Sequence, residues 1–331
     1  MKQMKGYFVI IFVLSFLILP KNLFPQSSGY KVTGKILIGG KNRWDYLSID
    51  TVMHRLFVTH MSKVEAIDLN TGKLVGEIDN LKGVHGIAIA YKYGKGFISN
   101  GQDNSVTVFN LRTLKIVDNI KIAAKGPDAI VYDPYTNRVF TFNGDSQNAT
   151  AIDAKTDKVI GTIELDGSPE FAASDNSGKM YVNLEDKSMI AEFDPATLKT
   201  LAKWPVAPGK SPSALAIDLK NGILFSGCRN KIVTIFDTKT EKLITSMPIG
   251  AGVDAEVFDP TKKLLFCSCW DGTITEIKES SPTDFKVIDT ITTEKGARTM
   301  AFDKSTGKIY TVTMLPDGNN NKEFGVLVLT K

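Results

Sequence analysis

The chain has 331 residues, long for a single packed core, and a formal charge of +4. With the basic leader described next set aside, that charge leaves no electrostatic footprint for nucleic acid or an acidic membrane. Three cysteines are an odd number and exclude a disulfide scaffold.

Lys2 and Lys5 precede an apolar stretch from Gly6 to Pro20. A basic n-region followed by an apolar h-region reads as a signal peptide, placed over residues 1–26. Its 15 apolar-stretch residues fall short of the ~20 that a membrane span needs. The alternative is an uncleaved N-terminal anchor, and no Cys follows that would carry a lipid. The expectation is an exported protein, periplasmic or extracellular, with no stable membrane insertion after cleavage. The leader removes Lys2, Lys5 and Lys21 and no acid, which leaves a near-neutral +1.

The remaining residues, 27–331, read as one repeat domain. A motif of the form aromatic-Val-Thr-Asn returns as FVTH at Phe57, FISN at Phe97, FTFN at Phe140, MYVN at Met180, FSGC at Phe225, FCSC at Phe266 and YTVT at Tyr310. The intervals are 40, 43, 40, 45, 41 and 44 residues. A period in the forties filled with short strand-like segments predicts an all-β, seven-bladed β-propeller of four-stranded antiparallel blades. The third unit shows the plan: strands at 127–132, 138–143, 150–153 and 158–165, separated by turns rich in Asp, Asn and Pro. No segment has a helical period. The aromatic position is read as core between blades.

Two Asp series mark the turns. Asp50, Asp133, Asp218, Asp259 and Asp303 stand seven residues before the motif, with Ala90 breaking the pattern and Asp175 displaced. Asp68, Asp153, Asp194 and Asp237 follow the third strand, with Asn110 in unit two. Both series are expected to accept backbone N–H bonds in the turns they begin.

The seventh unit ends on its third strand, at Val326 to Leu329. Residues 31–38, KVTGKILI, match the fourth strand of unit three, KVIGTIEL, down to the Gly. The N-terminal strand is therefore expected to complete the last blade and close the ring. The units resemble the YVTN-repeat β-propellers, the YncE-like family of exported bacterial proteins, over about residues 30–330, loosely in units five to seven where Cys228, Cys269 and Thr313 replace Asn. The resemblance implies the fold and export. It also implies single-stranded DNA binding as one role within the family, with surface or enzyme-associated modules as others.

In such a blade the start of the first strand and the end of the second share one face. The first positions read Asp45, His85, Asp128, Glu170, Ser213, Asp254 and Arg298. Like charges packed around one opening require shifted pKa values, Arg298 or a bound cation to compensate. The ring is the candidate ligand site, with Asp128, Glu170 and Asp254 as candidate metal ligands; a solvated channel mouth is the plain alternative. The second positions include His60, Asn100, Asn143 and Asn183. Their amides either cap strand ends or add neutral oxygens suited to a divalent cation such as Ca²⁺. Trp44 and Trp270 fall on the same face and suggest stacking on a flat ligand. Cys228, Cys267 and Cys269 lack metal-site spacing and read as buried thiols. Trp204 reads as packing. Lys41, Arg43, Lys82, Lys125, Lys210 and Lys295 form a basic rim, with Asp166 and Glu294 among them, and residues 315–322 read as a mobile flap or a disordered loop.

Three functions compete. The preferred reading is a monomeric binding module holding a small molecule or a protein on this polar face. The second is a metal-assisted hydrolase or lyase using His85 and the carboxylates, with Arg298 as electrophile. The third is nucleic-acid binding, which the acidic ring disfavours because it repels a phosphate chain.

Overall fold

The computed structural model describes Met1 and residues 28–40, 44–319 and 321–331. The predicted leader, and Lys41 and Arg43 of the rim, lie outside them. Among the described residues, 28 strands form seven antiparallel sheets of four. Each inner strand packs beside the next, and the seventh returns to the first. The fold is a seven-bladed β-propeller. The third blade runs Pro127–Asp133, Arg138–Asn143, Asn148–Asp153 and Lys158–Glu164, as its sequence suggests.

The motif's first residue fills the wedge between blades. Phe57, Phe97, Phe140, Met180, Phe225 and Phe266 are fully buried. Phe57 meets Phe109 of blade two edge-on at 5.5 Å, Phe140 meets Phe193 of blade four at 5.7 Å, and Phe225 stacks on Phe258 of blade six at 5.3 Å. Rings at one depth thus join blades one and two, three and four, and five and six. Trp204 packs between Tyr181 and Phe236, also in the core.

Closure follows the predicted route. Lys31–Leu37 pairs antiparallel with Lys322–Thr330, outside Lys308–Pro316 and Met300–Asp303. The ladder skips one residue at Thr33, and skips one at the matching place in every other outer strand: Val75, Val117, Ile160, Leu201, Ile244 and Ile288. A bulge at this position twists the edge away from a flat template. It lets the outer strands expose apolar side chains such as Val75, Val117 and Ile160 without a straight row of ladder groups beside them.

The turn series act as predicted. Asp153 accepts N–H bonds from Lys155 and Thr156 at 3.0 and 2.7 Å, and Asn110 does the same for Arg112 and Thr113 at 3.0 Å each. Ala90, which lacks the acceptor, is followed instead by a single 3₁₀ turn, Tyr91–Tyr93, closed by Gly94 at φ 62°. Asp175 serves a shifted turn, taking Ser177 and Lys179 N–H groups. The inner series is the more consequential. Asp133 is buried and accepts from Thr136 N at 2.8 Å and, across the blade boundary, from Ser174 Oγ at 2.6 Å. Asp133→Ala should therefore cost about 3 kcal/mol, whereas Asp153→Ala should cost about 1 kcal/mol. Urea midpoints that fall equally for the two variants would contradict this.

In the segment 315–322, of which Asn320 lies outside the described residues, the others correct an expectation. Leu315 is buried, Pro316 pairs with Lys322, and Asp317 accepts N–H bonds from Asn319 and Asn321 at 2.8 and 3.1 Å. The hairpin simply runs further than its polar sequence implies, because Leu315 has a core to enter.

Candidate functional site

The inner strands bring the seven predicted first positions to one mouth and sort them into three groups. Asp45, His85 and Asp128, from blades one to three, form the first. His85 Nδ1 lies 2.7 Å from Asp45 Oδ2 and 3.4 Å from Asp128 Oδ1. Asp254, Arg298 and Ser213 form the second: Arg298 Nε is 2.9 Å from Asp254 Oδ2, and Ser213 Oγ is 3.2 Å from Asp254 Oδ1. Glu170 forms the third with Glu185, which is itself 2.5 Å from Arg229 Nε.

This sorting dissipates the charge that the sequence piles up. Burial first, then the charges of Asp45 and Asp254, push the Asp128 carboxyl up to about 7, against the pull of His85 and Arg298. Burial, then the hydrogen bond to Glu185 and the charge of Asp128, push Glu170 up to about 9. Asp254 is raised as well, mainly by burial, although Arg298 opposes it. Both carboxyls are thereby shifted toward their protonated forms relative to ordinary carboxyls. The direction of all three shifts reduces the negative charge at the mouth.

The expected ligand trio of Asp128, Glu170 and Asp254 is not what the backbone assembles. Asp254 is engaged by Arg298 and Glu170 by Glu185. Among the described residues, the group whose donor atoms gather within 4.8 Å of one another is Asp45, His85 and Asp128. The amide ring also belongs elsewhere. Asn100 Nδ2 donates to Thr107 Oγ1 at 2.9 Å, Asn143 Nδ2 to Thr150 Oγ1 at 3.0 Å, and Asn183 Nδ2 to Ala214 O at 2.7 Å. All three are buried within or between blades, and their Nδ2 groups lock strand ends. His60 is likewise buried, 3.3 Å from Glu65 and against the Phe324 ring.

The thiols are buried and free, as expected. Burial raises Cys228 and Cys269 to about 12 and Cys267 well above its ordinary value, so none is a ready thiolate. The two indoles part company. Trp44 stacks on Phe324 at 5.4 Å between blades one and seven. Trp270 is 46% exposed, with the Arg298 guanidinium 5.5 Å from its ring centroid.

Two clefts meet at Arg298. One, of 430 Å³, is lined by Trp44, Asp45, Lys82, His85, Gln102 and Arg298, among others. The other, of 500 Å³, is lined by Arg229, Asp254, Trp270, Asp271, Lys295 and Arg298, among others. Lys82 and Lys295 are thus rim lysines that reach the clefts, whereas Lys125 and Lys210 are exposed on loops. A further cleft of 240 Å³, with Asp175, Lys179 and Lys220, lies on the opposite face and away from this chemistry.

Below the mouth the channel is narrowed by two rings. Tyr46 of blade one stacks on Phe171 of blade four at 4.6 Å, across the axis. The phenol lies among Asp128, Asp45, Glu170 and Asp254; burial above all, then those charges, raises it well above its ordinary range. The corresponding positions in the other blades are small: Gly86, Ala129, Ala214, Ala255 and Thr299. Tyr46, Phe171, Glu185 and Arg229 are the site residues that sequence reasoning missed.

No family model matches the chain. It is similar to Antigen Lp49 of Leptospira interrogans, 24% identical over 180 residues, covering 52% of this chain and 40% of that protein. It is similar to the uncharacterized protein YncE of Salmonella typhi, 27% identical over 163 residues, covering 47% of this chain and 44% of that protein. The matched region spans less than half of either curated relative. Among solved structures, that of U3-55K superposes with a TM-score of 0.75 at 7% identity, over 92% of this chain and 99% of that one, which speaks for the fold alone.

Proposed function

We propose that this chain, a YncE-like seven-bladed propeller, is an exported binding module that holds a small anionic molecule, or an anionic group of a larger partner, at the channel mouth. Arg298 carries the reading. Asp254 fixes it through Nε and Trp270 backs its guanidinium, at the meeting point of the two clefts. A guanidinium held through Nε offers its remaining fork to a carboxylate or phosphate, and the half-exposed indole offers a surface for a flat ligand. Lys82 and Lys295 in the cleft walls add attraction for the same charge. Export rests on the leader-like residues 1–26. An anionic ligand also suits a mouth where burial pushes the Asp128, Glu170 and Asp254 carboxyls upward, toward their neutral forms.

The test is a thermal-shift panel of small carboxylates and phosphate monoesters on the purified chain, followed by affinity measurement. At least one compound should raise the melting midpoint. Its affinity should fall at least tenfold, about 1.4 kcal/mol, in Arg298→Ala and in Trp270→Ala. A panel without any shift, or a shift that survives both substitutions, would remove the proposal.

A further inference from the structure

We propose that Asp45, His85 and Asp128 form a binding site for a divalent first-row transition ion, Zn²⁺ or Mn²⁺, at the channel mouth. The inference concerns the same mouth and rests on reading it as a ligand-holding site, but it is tested by metal affinity alone. Three consecutive inner strands deliver the three side chains to one height. Their donor atoms are spaced 2.7 Å (Nδ1 to Asp45 Oδ2) and 3.4 Å (Nδ1 to Asp128 Oδ1), all within 4.8 Å. Ligands about 2.0–2.2 Å from a shared ion stand roughly 3 to 3.5 Å apart, so little movement is required.

Asp128 Oδ1 is shut off from solvent and makes no hydrogen bond; its charged contact is the long 3.4 Å approach of His85 Nδ1, and the side chain as a whole is 37% exposed. A cation among the three groups would replace that long contact with a direct ligand bond.

The scaffold around the trio is also fixed. Ser99 Oγ donates to the backbone carbonyl of Asp128 and accepts from Gly86 N at 2.9 Å. One hydroxyl therefore ties the strand carrying His85 to the strand carrying Asp128. Behind the imidazole lies Gly101, where a Cβ would come within 2.8 Å of His85 Nε2. Any larger residue would displace the ring. Backing of this kind turns the Nδ1 edge toward the carboxylates, the orientation that a metal-bound imidazole needs.

The donor set decides the ion. Imidazole nitrogen suits transition ions, and two carboxylates suit Mn²⁺ and Zn²⁺ alike, whereas Ca²⁺ favours six to eight oxygens. The amide oxygens of Asn143 and Asn183 already accept from Thr141 and Ser226, so they do not add to that count. Three protein ligands leave positions open to the 430 Å³ cleft that Arg298 also lines. An anionic ligand could thus meet the ion and the guanidinium together.

The experiment uses the full mature chain, stripped with chelator and desalted. Zn²⁺ affinity is read by competition with a chromophoric chelator, and Mn²⁺ binding by the electron paramagnetic resonance signal of the free ion. One ion per chain is expected. Asp45→Asn and Asp128→Asn should weaken it roughly 10- to 100-fold, and His85→Gln by a similar factor. Cys269→Ser should leave it unchanged, which separates this site from thiol binding. The Asn and Gln variants keep side-chain shape, and their melting curves without metal verify folding. Binding weaker than about 1 mM, or affinity indifferent to all three substitutions, overturns the site. Neither result depends on the organic ligand of the previous section.

Discussion

Deletion of residues 28–38 should open the ring and unfold or aggregate most of the protein at ambient temperature. The segment supplies the outer strand of the last blade, pairing at six register positions from Lys31–Thr330 to Leu37–Gly325. Tyr30 adds a buried ring against Phe266 of blade six at 5.1 Å, and its hydroxyl donates to Gly307 O at 2.7 Å. At about 1 kcal/mol net per ladder bond, losing the pairing alone removes on the order of 5 kcal/mol, comparable to the whole stability of an ordinary domain. It also uncovers Lys322–Thr330 as an unprotected edge, because the bulge that shields this blade sits at Thr33 in the deleted strand. A truncated chain that stays monomeric in sedimentation and melts within a few degrees of the parent would show that the latch is dispensable.

The second large effect lies in a buried acid that the site does not use. Glu256 sits in the inner strand Val253–Asp259, 5% exposed. Its Oε1 accepts the Cys267 thiol at 3.2 Å, and its Oε2 is buried without a hydrogen-bond partner. Burial pushes its carboxyl up to about 8, against the pull of hydrogen bonds from Cys267 and Gly227. The folded pKa is above the unfolded value, so the folded state keeps the proton longer. No penalty exists below the unfolded pKa; it grows as pH rises and is complete above about 8. Its size is on the order of 4 to 5 kcal/mol. Glu256→Gln should therefore match the parent near pH 4.5 and exceed it by several degrees in melting temperature at pH 8.5. Parallel pH profiles for the two proteins would refute the assignment. Asp128 and Glu170 act in the same direction. Turn carboxyls such as Asp153 and Asp237, held low by backbone N–H bonds against the effect of burial, act in the opposite one below pH 4.

What was legible in the sequence is what repetition makes legible. Seven motifs at a common spacing set the number of blades, and the likeness of residues 31–38 to 158–165 announced the closure. The same spacing placed Asp45, His85, Asp128 and Arg298 on one face. Pairing within that face was not legible, because each blade departs from the repeat in its own way. Blade four continues its hairpin beyond Asn183–Ile190 to Leu184–Met189, one pair further than the Asn143–Asn148 end of blade three. That extension carries Glu185 to the mouth beside Glu170. The Asn positions were placed at the correct end of their strands, yet their side chains turn into the blades, where Thr107, Thr150 and Ser226 meet them. Tyr46 and Phe171 escaped notice because they belong to blades three apart, and no neighbour-to-neighbour pattern relates them.

The contact between those two rings has a consequence for traffic. Two rings stacked across a bore constrict it, so solutes too wide to slip past them depart by the doorway they came through. Such newcomers can then exchange only with the occupant they displace, and for them the disc behaves as a receptacle rather than a conduit.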